Sequence, residues 1–420
     1  MFYKIEVENF HSIRERQTID LRIARNAPKN PERFTDNVDL KDGRAPKVVA
    51  FFGANASGKS NILRALTAIE WFVVFSHKEL HRDNIAAKSQ KGFQRFDRFR
   101  ASNSKGPTRL AVHFSAPEDF EFLSNSEKNP KEGRERRFVY EVKFDNSMDK
   151  PSEVILERLR VFSETEQRFR SIFERSQSRT HWSDPSFHLS SCADALEKLP
   201  KNCSLVSYLS DLGHQPAERL RMYFSRILSN IYVEKISFRD DFIIKFTTDE
   251  RRRKWFLDRM NQDLERFDLG LEAIVVSRSR RGEVIKFKHS GLDELLPLEQ
   301  ESHGTREFMR IFPLLVTALM SGGIAVIDEM DQAIHALLLP EIIGWFYDPK
   351  RNPHGAQLWM SCHNPFLFEF LEKEEIYFCE KDSSGATTVY GLKNIGGVRR
   401  SDNIYKKYLG GVFGAVPRVG

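Results

Sequence analysis

Gly53-Ala54-Asn55-Ala56-Ser57-Gly58-Lys59-Ser60 follows the apolar run Val48-Val49-Ala50-Phe51-Phe52 and opens a helix-like stretch from Asn61 to Ile69. Strand, glycine-bearing loop and helix in that order make a P-loop. Its glycines let the backbone curl so that several N–H groups point at one anion, and the helix start adds the positive end of its dipole. Gly53, Asn55, Ala56, Ser57, Gly58 and Asn61 are therefore expected around a bound phosphate chain. Lys59 is placed to reach the β- and γ-phosphates, and the Ser60 hydroxyl to ligate Mg²⁺. The motif predicts binding of a nucleoside triphosphate.

Three further segments supply what hydrolysis would need. Gly322-Gly323-Ile324-Ala325-Val326-Ile327-Asp328-Glu329 is an apolar strand ending on two carboxylates, the form of a Walker B segment. One carboxylate must hold the Mg²⁺ shell and another must take a proton from the attacking water, so Asp328 is read as the metal-shell residue and Glu329 as the general base. An Asp-Glu pair can equally be a solvated strand end; the P-loop is what favours the chemical reading. Glu301-Ser302-His303-Gly304-Thr305-Arg306 precedes a long helix, and its hydroxyl, glycine and free N–H groups suit a second phosphate-binding surface, or a plain helix cap. Gln357-Leu358-Trp359-Met360-Ser361-Cys362-His363-Asn364 is a strand that ends on a histidine. Beside the other motifs, His363 is expected to hydrogen-bond a γ-phosphate and report which nucleotide is present.

The chain has 420 residues, 40% of them hydrophobic, with 34 Phe and a net charge of +6, which suits a globular protein of two or three domains. That charge excess is compatible with nucleic acid without pointing to it. Cys192, Cys203, Cys362 and Cys379 show no metal-ligand spacing and read as reduced thiols. The alternating N-terminus is no signal peptide and no apolar stretch is long enough for a membrane span, so a cytoplasmic protein with no membrane contact is expected. The coarse pattern divides the chain into residues 1–163, holding the P-loop and an antiparallel sheet, an inserted helical subdomain at 164–230, and a C-terminal part at 231–420.

The order of P-loop, Ser-x-Gly signature, Walker B with Asp-Glu and His-ended strand resembles the ABC-type ATPase heads of the SMC, Rad50 and OLD group. Glu301-Ser302-His303-Gly304-Thr305, Asp328-Glu329-Met330-Asp331, His335, Cys362-His363-Asn364 and the ending Tyr408 to Pro417 look most like the OLD-like ATPases of bacterial abortive-infection and anti-phage systems. The resemblance implies an α/β ABC-type P-loop ATPase head, with a mixed sheet core, an appended antiparallel sheet and an inserted helical subdomain. It implies ATP and Mg²⁺ as ligands, with Glu329 and His363 catalytic. Ser302 and Gly304 would cap the γ-phosphate held by a second copy, Asp331 would lie where the chains meet, and Gln94 would link Mg²⁺ to the insert. The sequence departs from the family at Ala336, where proline is usual, and at His303, inside the signature.

An ATP-dependent homodimer, or a higher assembly of such dimers, follows from that resemblance. The segment after His363 is too short for a nuclease domain, so the expectation is a separately encoded, nuclease-like effector of TOPRIM or other type, with a phage protein as trigger. A head of the RecF and Rad50 kind acting on DNA is the alternative. For it, Arg251-Arg252-Arg253-Lys254, Arg278 with Arg280 and Arg281, and Arg95 with Arg98 and Arg100 offer phosphate contacts, to DNA or RNA. A third reading is a scaffold that binds ATP without hydrolysing it.

Overall fold

A strand built of Val48-Val49-Ala50-Phe51-Phe52 has no polar side chain to turn to water, and all five residues are buried in the middle of a sheet. This computed structural model describes residues 1–24, 27–36, 43–86, 98, 106–117, 135–145, 152–176, 181–231, 250–264, 270–279 and 282–416. The central sheet has six strands in the order Ile227–Ser229, Ile324–Ile327, Gln357–Ser361, Val48–Phe52, Ile376–Lys381, Thr387–Gly391. The first five run parallel, and the last pairs antiparallel.

Parallel strands covered on both faces read as continuous apolar runs whose alternate residues enter different cores. Val49, Phe51, Ile324, Val326, Trp359 and Tyr377 point into one core, which they share with the long helix Lys59–Ala86. Val48, Ala50, Phe52, Ala325, Ile327 and Leu358 point into the other, against the helices His303–Ser321 and Leu339–Tyr347. The helix after the P-loop runs to Ala86, well past the stretch from Asn61 to Ile69 that the sequence marks.

The second sheet is fully antiparallel and has seven strands. Its order is His181–Ser183, Arg168–Ser176, Glu153–Ser163, Glu135–Asp145, Thr108–Pro117, Phe2–Glu8, Gln17–Asp20. The Gln357 side chain ties the two sheets together: its Oε1 accepts from Phe2 N at 2.8 Å, and its Nε2 donates to Phe2 O at 2.9 Å. The expected appended antiparallel sheet is thus present, and the N-terminal strands belong to it.

Residues 164–230 differ from the expected helical insert. The stretch opens with the strands Arg168–Ser176 and His181–Ser183, and becomes helical only at Ala193–Glu197, Leu205–Asp211 and Gln215–Phe224. The many charges of this stretch obscure its alternation: Arg168 and Arg170 lie exposed near the edge of the sheet, where charge discourages further strand pairing. Its helices also lack a core of their own, because Leu205, Val206, Leu209, Leu220 and Phe224 pack into the cluster that contains Leu66, Ile69 and Phe72. Buried Glu157 fastens them, accepting from Tyr140 Oη at 2.8 Å, Ser204 Oγ at 2.7 Å and Leu205 N at 2.8 Å. Ile227–Ser229 then becomes the strand beside Ile324–Ile327.

Residues Gln94, Arg95, Arg100, Arg280 and Arg281 lie outside the described residues, as do the side chains of Arg251, Arg252, Arg253 and Arg278. No described helix is long and apolar enough to cross a membrane. The four cysteines form no disulfide. Burial pushes the thiols of Cys203 and Cys379 up to about 12, which keeps both protonated and unreactive.

Candidate nucleotide site

Strand register brings the chemistry to one edge. Ser361 pairs with Phe51 and Met360 with Ile327, so the residues that follow the three strands, Gly53, Asp328 and His363, leave the sheet side by side. Two glycines are required by the loop itself. Gly53 has φ +153° and Gly58 φ +103°, and a Cβ on either would collide, with the Cys379 carbonyl in one case and with the Thr387 and Ser12 hydroxyls in the other.

Lys59 is buried, and its Nζ donates to the carbonyls of Gly53 at 2.8 Å and Ala54 at 3.0 Å, with His363 Nδ1 3.5 Å away. Burial lowers the affinity of its ammonium for the proton, and the carboxylates of Asp328, Asp331 and Glu329 oppose that shift. Ser60 Oγ donates to Asp328 Oδ1 at 3.0 Å. Asn55 and Ala56 are exposed at the loop tip, Ala56 with φ +60°. Asn61 faces the N-terminal turn and donates to Ser12 Oγ at 2.6 Å.

Asp328 is held from three directions. Its backbone N donates to Asn230 Oδ1 at 2.8 Å, and its backbone O accepts from Asn230 Nδ2 at 3.0 Å. Ser361 Oγ donates to its Oδ1 at 2.5 Å. Glu329 stands next to it in the left-handed region, φ 53° and ψ 48°, with an exposed side chain. Such a backbone conformation costs a non-glycine residue about 1–3 kcal/mol and persists where neighbours enforce it. Here Glu329 N donates to Ser361 Oγ at 2.7 Å. Asp331 Oδ2 accepts from His363 N at 2.9 Å, and its Oδ1 is buried with no hydrogen-bond partner.

One hydroxyl and one carboxylate, with a second carboxylate nearby, form the sparse oxygen set that Mg²⁺ uses when phosphate oxygens and water complete its shell. Among the described residues no cluster of three or more His, Cys, Asp or Glu gathers in the manner of an all-protein metal cage. Ser60 and Asp328 therefore fit the ion they were expected to hold. Bound there, it would neutralise charge on the β- and γ-phosphate oxygens.

Ser302 and Gly304 are not part of this cluster. Ser302 caps the helix His303–Ser321, accepting from Thr305 N at 3.1 Å, and Ser302, His303 and Gly304 are all exposed. The hydrogen bonds of Ser302 stay within its own helix start. Ser12, Asn230, Ser361 and Thr387 also hold the site, though no sequence motif assigns them a role. Ser12 Oγ and Thr387 Oγ1 lie 2.7 Å apart, and Thr387 Oγ1 donates to Ser57 O at 2.8 Å, which fastens the P-loop from outside. Of these residues only Ser361, two positions before His363, lies inside a segment the sequence marks.

The six-stranded sheet, with the histidine-ended strand between the P-loop strand and the Walker B strand and helices on both faces, is the mixed α/β core of a P-loop ATPase domain. Among solved structures, the SMC head domain from Thermotoga maritima is similar at 14% identity over 93% of this chain and 98% of that one, with a TM-score of 0.37. No curated protein is a match to this chain. A family model described as "AAA domain, putative AbiEii toxin, Type IV TA system" matches residues 48–369. That span holds the P-loop, Ser302, Asp328, Glu329 and His363, and it covers more than half of the sequence, so the chain belongs to this family of AAA ATPase domains.

Proposed function

We propose that this chain hydrolyses ATP as the sensor and regulatory subunit of a bacterial anti-phage, abortive-infection system. In this reading an ATP-dependent homodimer controls a separately encoded effector, of TOPRIM-like or other nuclease type. The family description, which speaks of a putative toxin in a type IV toxin–antitoxin system, supports a place in defence. One observation supports the mechanism above others. Lys59, Ser60, Asp328, Glu329 and His363 converge on one sheet edge, whereas Ser302 and Gly304 present a capped, exposed helix start outside that network. Each chain then supplies half of a pocket. Bound ATP gains hydrogen bonds from both chains, and cleavage of the γ-phosphate removes the bridge.

Complementation tests the two-chain pocket. Lys59→Ala and Ser302→Arg should each lack turnover. Mixed together, they should recover part of the wild-type phosphate release, because a mixed dimer has one site with an intact P-loop and an intact signature. No recovery from a mixture shown to form hetero-dimers would refute the shared pocket.

A specific surface favours a second reading, an ATPase that also contacts nucleic acid. On the face of the antiparallel sheet that points away from its apolar core, the buried carboxylates of Glu6 and Glu141 gather five cations. Lys4, Arg16 and Arg109 lie within 2.8 Å of Glu6, and Arg109, Arg158 and Arg160 within 3.3 Å of Glu141. The cationic excess is held in fixed positions, as a phosphate backbone would require. Arg158→Ala with Arg160→Ala should then lower oligonucleotide affinity and flatten its salt dependence, measured by fluorescence anisotropy. Absence of binding by the wild type at low salt would leave the protein-effector reading alone.

A further inference from the structure

We infer that Ser361 is a positioning residue that couples the His363 segment to the catalytic geometry of Glu329; this deepens the ATPase reading and rests on it. Its hydroxyl has one proton, and the geometry assigns it. Ser361 Oγ donates to Asp328 Oδ1 at 2.5 Å, which leaves a lone pair to accept from Glu329 N at 2.7 Å. A single buried oxygen thus sets the carboxylate that faces Ser60 and the backbone of the residue read as general base.

The strain at Glu329 gives this bond its importance. Its left-handed backbone aims the side chain out of the turn, and without the hydrogen bond from N to Ser361 the residue would be free to relax toward an ordinary conformation. Two positions further along, His363 N donates to Asp331 Oδ2 at 2.9 Å. The segment Ser361-Cys362-His363 is therefore laced to the turn Asp328–Asp331 at both ends, with Glu329 between the laces. The His363 ring lies 3.5 Å from Lys59 Nζ, the ammonium expected at the γ-phosphate. A displacement of His363 would therefore reach Glu329 through three direct hydrogen bonds, Ser361 to Asp328, Glu329 to Ser361 and His363 to Asp331. The buried, unpartnered Asp331 Oδ1 leaves this lacing with capacity for one further donor.

The test separates orientation from binding. Ser361→Ala should lower kcat by about 10²-fold, the usual consequence of a catalytic group misplaced by roughly 1 Å, while the Kd for a fluorescent ATP analogue stays within about threefold. Ser361→Thr, which keeps the hydroxyl, should restore most of the turnover. If Ser361→Ala fails to fold, Ser361→Thr against Ser361→Val asks the same question, since these side chains share a shape and differ by the hydroxyl. Unchanged kcat in the Ala variant, or parallel losses of kcat and ATP affinity, would overturn the positioning role alone. Absence of any turnover by the wild-type dimer would overturn the ATPase reading, and this inference with it.

Discussion

Lys59→Ala is expected to weaken MgATP binding by about 10²-fold or more, equivalent to roughly 2.7 kcal/mol and within the range of charge-assisted hydrogen bonds to phosphate. The reason lies in where the ammonium sits. It is buried at the base of the P-loop, and its present partners are the carbonyls of Gly53 and Ala54, neutral acceptors that a phosphate would outcompete. Burial has already made the charge costly there, so a triphosphate gains more from it than from an exposed lysine. Isothermal titration calorimetry on the wild type and the variant measures the difference. Equal affinities would place the nucleotide elsewhere. The same variant loses two hydrogen bonds inside the loop, so a melting curve without nucleotide should accompany it, and a small drop in Tm is expected.

Glu329→Gln is expected to reduce kcat by about 10³-fold, within the range for removal of a general base, with ATP affinity nearly unchanged. The substitution keeps shape and hydrogen-bonding capacity while removing basicity, and Ser361 contacts only the backbone of this residue. Its side chain is exposed in the single chain, so little packing is lost. With chemistry blocked and binding intact, the variant should accumulate as an ATP-bound dimer. Size-exclusion chromatography with light scattering in MgATP should show twice the monomer mass, and the wild type should return to monomer as phosphate appears. A variant that stays monomeric in saturating MgATP would sink the dimer switch even if its kcat falls.

Much of the site was legible in linear sequence because its parts are short and local. A P-loop needs its glycines, lysine and hydroxyl within eight residues, since one turn of backbone must wrap one phosphate. The apolar strands before Gly53 and Asp328 were equally readable, because a strand buried on both faces offers few polar positions, and the strand before Cys362 keeps an apolar middle, Leu358-Trp359-Met360, between Gln357 and Ser361. The stretch 164–230 was harder. Arg168–Ser176 carries its charges on a strand near the sheet edge, where burial does not enforce a clean alternation, so charge density passed for helix.

By itself, then, the order of residues determined that a triphosphate-binding loop, an acidic strand end, a capped helix start and a histidine-ended strand all exist in this chain. Only tertiary structure decided which of them meet. Parallel pairing in a definite register sets Gly53, Asp328 and His363 at one edge, while Ser302 and Gly304 stay outside on an exposed helix start. It also recruited Ser12, Asn230, Ser361 and Thr387, whose hydroxyl and amide groups have no motif. Such groups work by distance and direction to one particular neighbour, and a chain acquires those only once distant segments have packed together.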